Sequence, residues 1–552
     1  MADTRDPWKD RRPSFLAKVP WIGPILGESV SLNGRTLVRL GAGADPLLGK
    51  ALAMLLVPVR LDEQQERFAW SHSGWLARAR NDKNGIFRIE APASFWGPDI
   101  AGVLAILLYD QSADPWAQFY ADALAAEFAR HGPGPWDRAD SEPIPVASLP
   151  ESMKREVERE LKTLLERSSR ELMEALVRVE GRDTRSPRDP LALTFAVASC
   201  QYPAGFFDRD VAERSYERLA RCLDRKDAAW RPECVLLVGD QIYADATAGL
   251  FDPTTLYDRF ELPYERLLRI APLRRIQRRV PTYTMLDDHE IEDNWEPVAG
   301  ESRRGQALVD GCSSYLRYQR MAGPNQSPPG CLWYPFEVGG FPFFMADTRT
   351  ERSPRTAQTV KDACIMDDDQ LKRLQEWLVD PAKQNLPKFI ASPTSFLPRH
   401  HRAAQNEHLA SAIRSDGWDG YPKSFFGLLD YIATKRIRHV VFLSGDEHIS
   451  FATTAVISAN GSGEVTRFHS IHSSALYAPF PFANSIYDNL AYDERFRFGD
   501  YQCQVSIKFA APGDGFALLR AYRDGKGRWM LRCRFMRGPR PATAEKTIDL
   551  EL

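Results

Sequence analysis

Five separated stretches of the chain run through apolar, strand-forming residues, and each stops on a group able to bind a metal ion. They are TFAVAS ending at Cys200, ECVLLVG at Asp240, PTYTML at Asp287, Asp288 and His289, FPFFMA at Asp347, and RHVVFLSG at Asp446 and His448. Short continuous apolar runs mark buried strands, and in open α/β sheets ligands sit beyond the carboxyl ends of the strands. The five ends are therefore expected to converge on one site. Carboxylates gathered at the edge of a core are costly to desolvate unless cations hold them together. The pattern points to a polynuclear metal site.

Stretches with helical periodicity alternate with these runs: DVAERSYERLARCLDR, LYDRFELPYERLLRI, DDDQLKRLQEWL and FFGLLDYIATKRI. That order indicates α/β architecture. After His448 the closely spaced runs SFATTAVISA, YQCQVSIKFA, FALLRAYRD, RWMLRCRFMRG and KTIDLEL are strand-like, and a second sheet is expected to close the fold. A chain of 552 residues suggests more than one domain. Up to about Pro145 the sequence reads as β-rich, with an amphipathic helix at WAQFYADALAAEFARH. From Pro150, Met153, Val157, Leu161, Leu164, Leu165, Leu172, Leu176 and Val177 recur at helical spacing and predict a long helix ending at Gly181. The polar segment GRDTRSPRDP, residues 181–190, reads as a linker. The expected domains are thus 1–182, β-rich with a long amphipathic helix, and 190–552, which carries the five strand ends.

Several function classes lose support at this stage. Lys plus Arg is 72 against Asp plus Glu 74, a net charge of -2, which gives no nucleic-acid surface overall. ALAMLLVPVRL and IAGVLAILLY are the most apolar runs, shorter than the roughly 18 residues a membrane helix needs, and read as buried strands. The eight cysteines show no zinc-knuckle or redox spacing, and most read as buried thiols. Arg11 and Arg12 followed by Phe15 and Leu16 partly match a twin-arginine export signal, but the spacing is off by one and no long apolar region follows. A cytoplasmic location is the expectation.

The chemistry centres on GDQIY. Gly239 allows a sharp turn after the strand, leaving Asp240 at its end, where one carboxylate can bridge two cations; Tyr243 lies a short turn further on. A tyrosinate and a Cys200 thiolate together favour trivalent iron over magnesium or calcium, while Asp288 and Asp446 suit a second, divalent cation. On its own Tyr243 also reads as an aromatic under a loop. Asp287 reads as a turn cap or a support for its neighbour, outside the ligand set. His289 would face the substrate and stabilise a phosphoryl oxygen or protonate the leaving group.

VASCQ, GDQIYAD, LDDHEIEDNW, ADTRTER, DGWDGYP and SGDEH, in that order, resemble the PhoD-like branch of the calcineurin-like metallophosphoesterases over roughly residues 190–510. The resemblance implies a two-sheet β sandwich flanked by helices, with Fe3+ and Ca2+, or another divalent cation, between the sheets. It assigns Cys200, Asp240, Tyr243 and His448 to iron, and Asp288 and Asp446, with bridging Asp240, to the divalent site. Asp347 joins the metal ligands, and Asn294 and Arg349 fall near the substrate, where Arg349 would clamp a phosphate oxygen through paired donors. The implied reaction is hydrolysis of a phosphodiester or phosphomonoester by a metal-bound hydroxide. Two other readings compete: a metal-containing binding or regulatory protein whose N-terminal domain recruits a partner without turnover, and a metal-dependent hydrolase of another ester. Arg269, Arg274, Arg275, Arg278 and Arg279 read as a solvated helix face, His400 and His401 as surface or pocket-rim histidines, and Trp418–Pro422 as a structural loop.

Overall fold

The run IAGVLAILLY is apolar at every position because the strand it forms, Gly102–Asp110, is covered on both faces. Side chains alternate along a strand. Leu104, Ile106 and Leu108 pack with Met153, Val157 and Leu161 of the helix Glu151–Arg167. Val103, Ala105 and Leu107 pack instead with Leu26, Val38, Leu40 and Ile89 of other strands. The computed structural model describes residues 14–552 except 33–34, 50, 63–66, 71–73, 79, 82–85, 93–99, 101, 112–143, 168, 179–191, 206, 226, 248–250, 299–301, 325–329, 402–408, 460–462, 480–489 and 539–544. The expected helix near residue 120, the linker 181–190 and the arginine pair at 11–12 lie outside the described residues.

The chain divides into two compact units, the first comprising Met1–Ser186 with Leu268–Thr282 and Arg317–Gly323, the second the remainder. The first unit holds a seven-stranded sheet containing Phe15–Lys18, Gly102–Asp110 and Ala51–Asp62, and a four-stranded sheet built on Ile22–Leu32, Arg35–Gly43 and Ile86–Pro92. The helix that follows Pro150 stops short of Gly181: it is Glu151–Arg167 and Ser169–Ala175, after which Leu176 and Val177 pair with Leu104 and Val103. Two apolar residues that satisfy helical spacing are taken by a sheet edge. The arginine stretch is likewise not a solvated face. Arg274 donates to the Gly23 carbonyl at 3.0 Å and pairs with Glu174, Arg278 donates to the Met173 carbonyl, and Arg269 lies over the Trp21 ring. These side chains fasten the segment 268–282 to the first unit.

The second unit contains two large sheets. In one, the strand Leu193–Gln201 lies parallel to Cys234–Val238 on one side and antiparallel to Gly515–Arg523 on the other, with Thr282–Met285 at one edge and Trp529–Arg537 and Glu545–Glu551 at the far edge. The other sheet has eight strands, among them Phe341–Met345, Lys388–Ala391 and Val440–Ser444, mutually parallel in that order. Of the five runs after His448, only Ile449–Ala459 and Tyr501–Pro512 join this sheet. The last three are connected as antiparallel neighbours and extend the first sheet. One apolar cluster draws on both sheets: Phe195, Val197 and Leu236 from the first, Phe343, Phe389 and Val441 from the second, with the Phe195 ring edge-on to Phe343 and Phe389. The helices Asp368–Leu378 and Pro422–Thr434 cover another apolar cluster that includes Phe344, Ile390 and Phe442. All eight cysteines are free. Among the described residues no helix is long and apolar enough to cross a membrane.

Candidate metal centre

Left-handed backbone occurs at the strand ends Cys200 (φ 53°), Asp240 (φ 55°) and Asp446 (φ 76°), and at Asn294 (φ 50°) in the loop after Asp288. Non-glycine residues rarely occupy this region, and such strain concentrates at functional sites. The glycines before the two aspartates are dictated by close approach. A Cβ on Gly239, whose φ is 94°, would meet Asp287 Cβ at 2.5 Å, and one on Gly445 would meet Ser199 Cβ at 2.3 Å. The GD sequence is therefore what lets each strand end turn sharply against its neighbour, the Asp287 loop for Gly239 and the strand Leu193–Gln201 for Gly445.

Those turns bring carboxylates together. Asp240, Asp287, Asp288 and Asp446 each offer an oxygen within 4.8 Å of the others, and Asp240, Asp288 and His289 form a second such group. Cys200 Sγ lies 3.3 Å from Asp240 Oδ2 and 3.6 Å from the Asp446 carbonyl. The Tyr243 ring packs against the His289 ring at a tilt of 32°, centroids 4.1 Å apart. Asp240 Oδ1, Tyr243 Oη, Asp287 Oδ2 and Asp288 Oδ1 are buried without a hydrogen-bond partner among the described residues. Buried polar atoms left unpaired are expensive. These donor atoms, several of them carboxylate oxygens, beside a thiol and a phenol fit metal ions.

The protonation tendencies agree. Burial, reinforced by the Asp288 carboxylate, raises the Asp240 carboxyl well above the usual range, and desolvation with Asp287 does the same to Asp446. Burial also raises the Cys200 thiol and the Tyr243 phenol. Asp287 is pushed up to about 7 by burial against the opposing pull of Arg349. Each of these anions needs positive charge beside it, and a bound cation reverses every one of these directions.

A surrounding set of contacts fixes the donors. Glu290, fully buried, accepts from the amides of Asp240 and Asp287 through Oε2 and of Gln241 through Oε1, at 3.0, 2.8 and 2.6 Å, and so ties the two aspartate loops together. Asp245 Oδ1 lies 2.8 Å from His289 Nδ1, and its Oδ2 accepts from the Asp293 amide. With Nδ1 engaged as donor, Nε2 is the ring nitrogen left for a proton or a ligand. The Asn294 amide donates to Asp288 Oδ2 at 2.6 Å, while its side chain turns to Asp293.

Arg349 is completely buried. Its Nε donates to Asp287 Oδ1 at 2.8 Å, Nη2 is 2.6 Å from the same oxygen, and Nη1 donates to Asp416 Oδ2 at 2.7 Å. The expected paired clamp on a phosphate oxygen is thus not what this arrangement offers, because the guanidinium already holds two carboxylates. Asp347 stands outside both groups of donors: Oδ1 accepts from the amides of Arg349 and Thr350, and Oδ2 from the Thr350 hydroxyl. His448 is half-buried on the turn after Asp446 and is in neither group. Asp287, read from sequence as a support, is in one. His400 and His401 differ: His400 Nε2 is 2.8 Å from Glu447 Oε1, inside the site's frame. Sequence reading also passed over Asp245, Glu290 and Asp416. All three stand inside the motifs GDQIYAD, LDDHE and DGWDGYP, so the available signal was the acid at each motif's edge.

The family model for PhoD-like phosphatases matches residues 195–481, more than half of the chain. Alkaline phosphatase D of Bacillus subtilis (strain 168) is 25% identical over 288 residues, 47% of this chain and 46% of that protein, so the chain spans about half the length of this curated relative. The solved structure of PhoD matches with a TM-score of 0.56 at 15% identity, covering 96% of this chain and 89% of that one, a likeness of fold. The chain belongs to the PhoD-like phosphatase family.

Proposed function

We propose that the chain hydrolyses phosphate esters, a phosphodiester or phosphomonoester, at a site holding more than one metal ion. The observation that carries this is the set of four buried oxygens, on Asp240, Tyr243, Asp287 and Asp288, that no hydrogen bond satisfies. Cys200, Asp240, Tyr243 and His448 are the residues assigned to iron, and Asp240, Asp288 and Asp446, now with Asp287, to calcium or another divalent cation. The two-sheet sandwich expected from sequence is supported by the single apolar core that both sheets share. The first unit is assigned an accessory role.

When bound, such cations supply charge neutralisation at the phosphoryl oxygens and a water of lowered pKa as nucleophile. Asp240, between Cys200 and Asp288, holds the two halves of the donor set at fixed spacing. His289, oriented by Asp245 at Nδ1, presents Nε2 as the ring nitrogen that can deliver a proton to the leaving oxygen. Asn294 orients Asp288 through its backbone amide. Arg349 is reassigned from substrate clamp to the group that orients Asp287 and offsets the charge of the carboxylate cluster. The test is elemental analysis of protein purified without added metal, alongside turnover of activated phosphomonoesters and phosphodiesters. Iron and a divalent cation in fixed ratio, with turnover abolished by Asp240→Asn and competed by inorganic phosphate, are expected. Folded protein free of tightly held metal would overturn the assignment.

A further inference from the structure

Two carboxylate loops must be held at a set distance for the donors of Asp288 and Asp446 to meet, and both are gripped from outside by one short segment. Asp416 accepts from Arg349 Nη1 and from Arg352 Nη1 (2.7 and 2.5 Å), and its carbonyl accepts from Arg352 Nη2 at 2.8 Å. Arg349 in turn holds Asp287. Three residues on, Asp419 accepts from the His400 amide at 2.7 Å and from the Ser415 hydroxyl. Ser415 Oγ and Asp419 Oδ2 lie 3.1 and 3.4 Å from His400 Nδ1. The opposite ring nitrogen reaches Glu447, the residue between Asp446 and His448. Trp418, buried between these contacts, donates from Nε1 to Ser392 Oγ at 2.9 Å and anchors the segment to the core.

We propose that Ser415–Asp419 is a positioning frame that sets the spacing of the two aspartate loops: Asp416 acts on the Asp287–Asp288 loop through Arg349, and Asp419 acts on the Asp446 turn through His400 and Glu447. Asp416, Asp419 and His400 touch neither of the donor groups, so they are positioning residues. The proposal rests on the reading of the cluster as a metal centre. Partners that orient metal ligands from outside typically change affinity or activity about 10–100-fold when removed. A frame predicts more than that loss, because disturbing one end must loosen the far loop as well.

The test compares Asp416→Ala and His400→Ala with the unmodified full chain by amide hydrogen exchange after chelation, and by calorimetric titration with calcium. Both loops carry hydrogen-bonded amides that report on them: Ile291 and Glu292 bond to the Asp288 carbonyl, Gly445 to the Pro393 carbonyl and Ile449 to that of Glu447. Each variant is expected to raise exchange in both 287–294 and 445–449, to leave the strands Leu193–Gln201 and Val440–Ser444 protected, and to weaken calcium binding about 10–100-fold. Asp416→Asn and His400→Gln, which keep part of each contact, are expected to recover part of the loss. Exchange raised only in the loop nearest the substitution, or in neither, would overturn the proposal. Arg532→Ala, which breaks the remote pair with Asp549, controls for general destabilisation. An unmodified chain without calcium affinity would sink the metal reading instead, while the exchange pattern would still decide the frame.

Discussion

Replacing Gly239 with alanine perturbs the site through one methyl group, and the structure separates its two costs. At φ 94° an L-residue pays about 1–2 kcal/mol for left-handed backbone. The new Cβ would also lie 2.5 Å from Asp287 Cβ, and overpacking of this kind costs about 1–3 kcal/mol. Because Asp287 Cβ is bonded to backbone, no rotamer relieves the contact. Either the Asp240 turn or the Asp287 loop must move, and the donors they carry move with it. The expected loss is about 2–5 kcal/mol of stability with a fall in cation affinity. Two controls isolate the terms. Gly340→Ala has φ 80° and open space around it, so it should cost about 1–2 kcal/mol and leave cation binding unchanged. Gly445→Ala has ordinary backbone but a contact of 2.3 Å with Ser199 Cβ, so it should weaken cation binding without the left-handed term. Urea unfolding and calcium titration of the three variants measure both quantities. Equal stability and equal affinity for the Gly239 and Gly340 variants would refute the claim that close approach of the two loops builds the site.

Three further outcomes follow from buried charge. Glu290→Gln sets an amide donor against at least one of the backbone donors of Asp240, Gln241 and Asp287, and should cost about 2–3 kcal/mol in chemical denaturation. Arg349→Met leaves the buried Asp287 and the partly exposed Asp416 without that partner, and a loss of about 3–5 kcal/mol is expected, with Arg349→Lys intermediate. Lys388 is buried among the carbonyls of Gln384, Leu386 and Arg438, and burial lowers its ammonium to about 8. The unfolded chain therefore binds the extra proton between about pH 8 and 10.5, so Lys388 makes stability rise with pH across that window, by at most about 3 kcal/mol. Lys388→Met should flatten that slope, and an unchanged pH profile of unfolding would show that the lysine is not desolvated.

The strand ends were legible in the sequence because the evidence for them is local: an apolar run, a glycine, an acid. Asp240 and Asp446 follow from that pattern, Cys200 and Asp288 end apolar runs without the glycine, and the structure gathers all four from two sheets whose order no local pattern fixes. The pairing of the last three strands with Leu193–Gln201 depends on which edge of a sheet remains open, a property of the assembled fold. Leu176 and Val177 illustrate the same limit on a small scale, since helical spacing and a free sheet edge compete for them and the edge wins. Misreadings at the site share a cause. Arg349 and Asp347 stand together in the motif ADTRTER, yet their side chains are taken by Asp416, Asp287 and Thr350, partners distant in sequence or hidden in a turn. A motif reports that a residue belongs to the site, while the hydrogen-bond partners decide whether it faces inward or holds its neighbour.

That distinction explains how strain and charge coexist here. Left-handed backbone at Cys200, Asp240, Asn294 and Asp446 persists only where the surroundings over-determine it. Glu290 supplies that constraint for the Asp240 turn, the Asp288 carboxylate for Asn294, and the His400–Glu447 contact for the turn after Asp446. The same contacts keep the carboxylates from separating, although like charges this close repel. A chain free to relax would turn these carboxylates towards water; a chain held from outside presents Asp240 Oδ1, Asp287 Oδ2 and Asp288 Oδ1 inward and unpaired among the described residues. The rigidity of the frame and the unsatisfied oxygens are therefore one feature, an arrangement whose remaining partner carries positive charge.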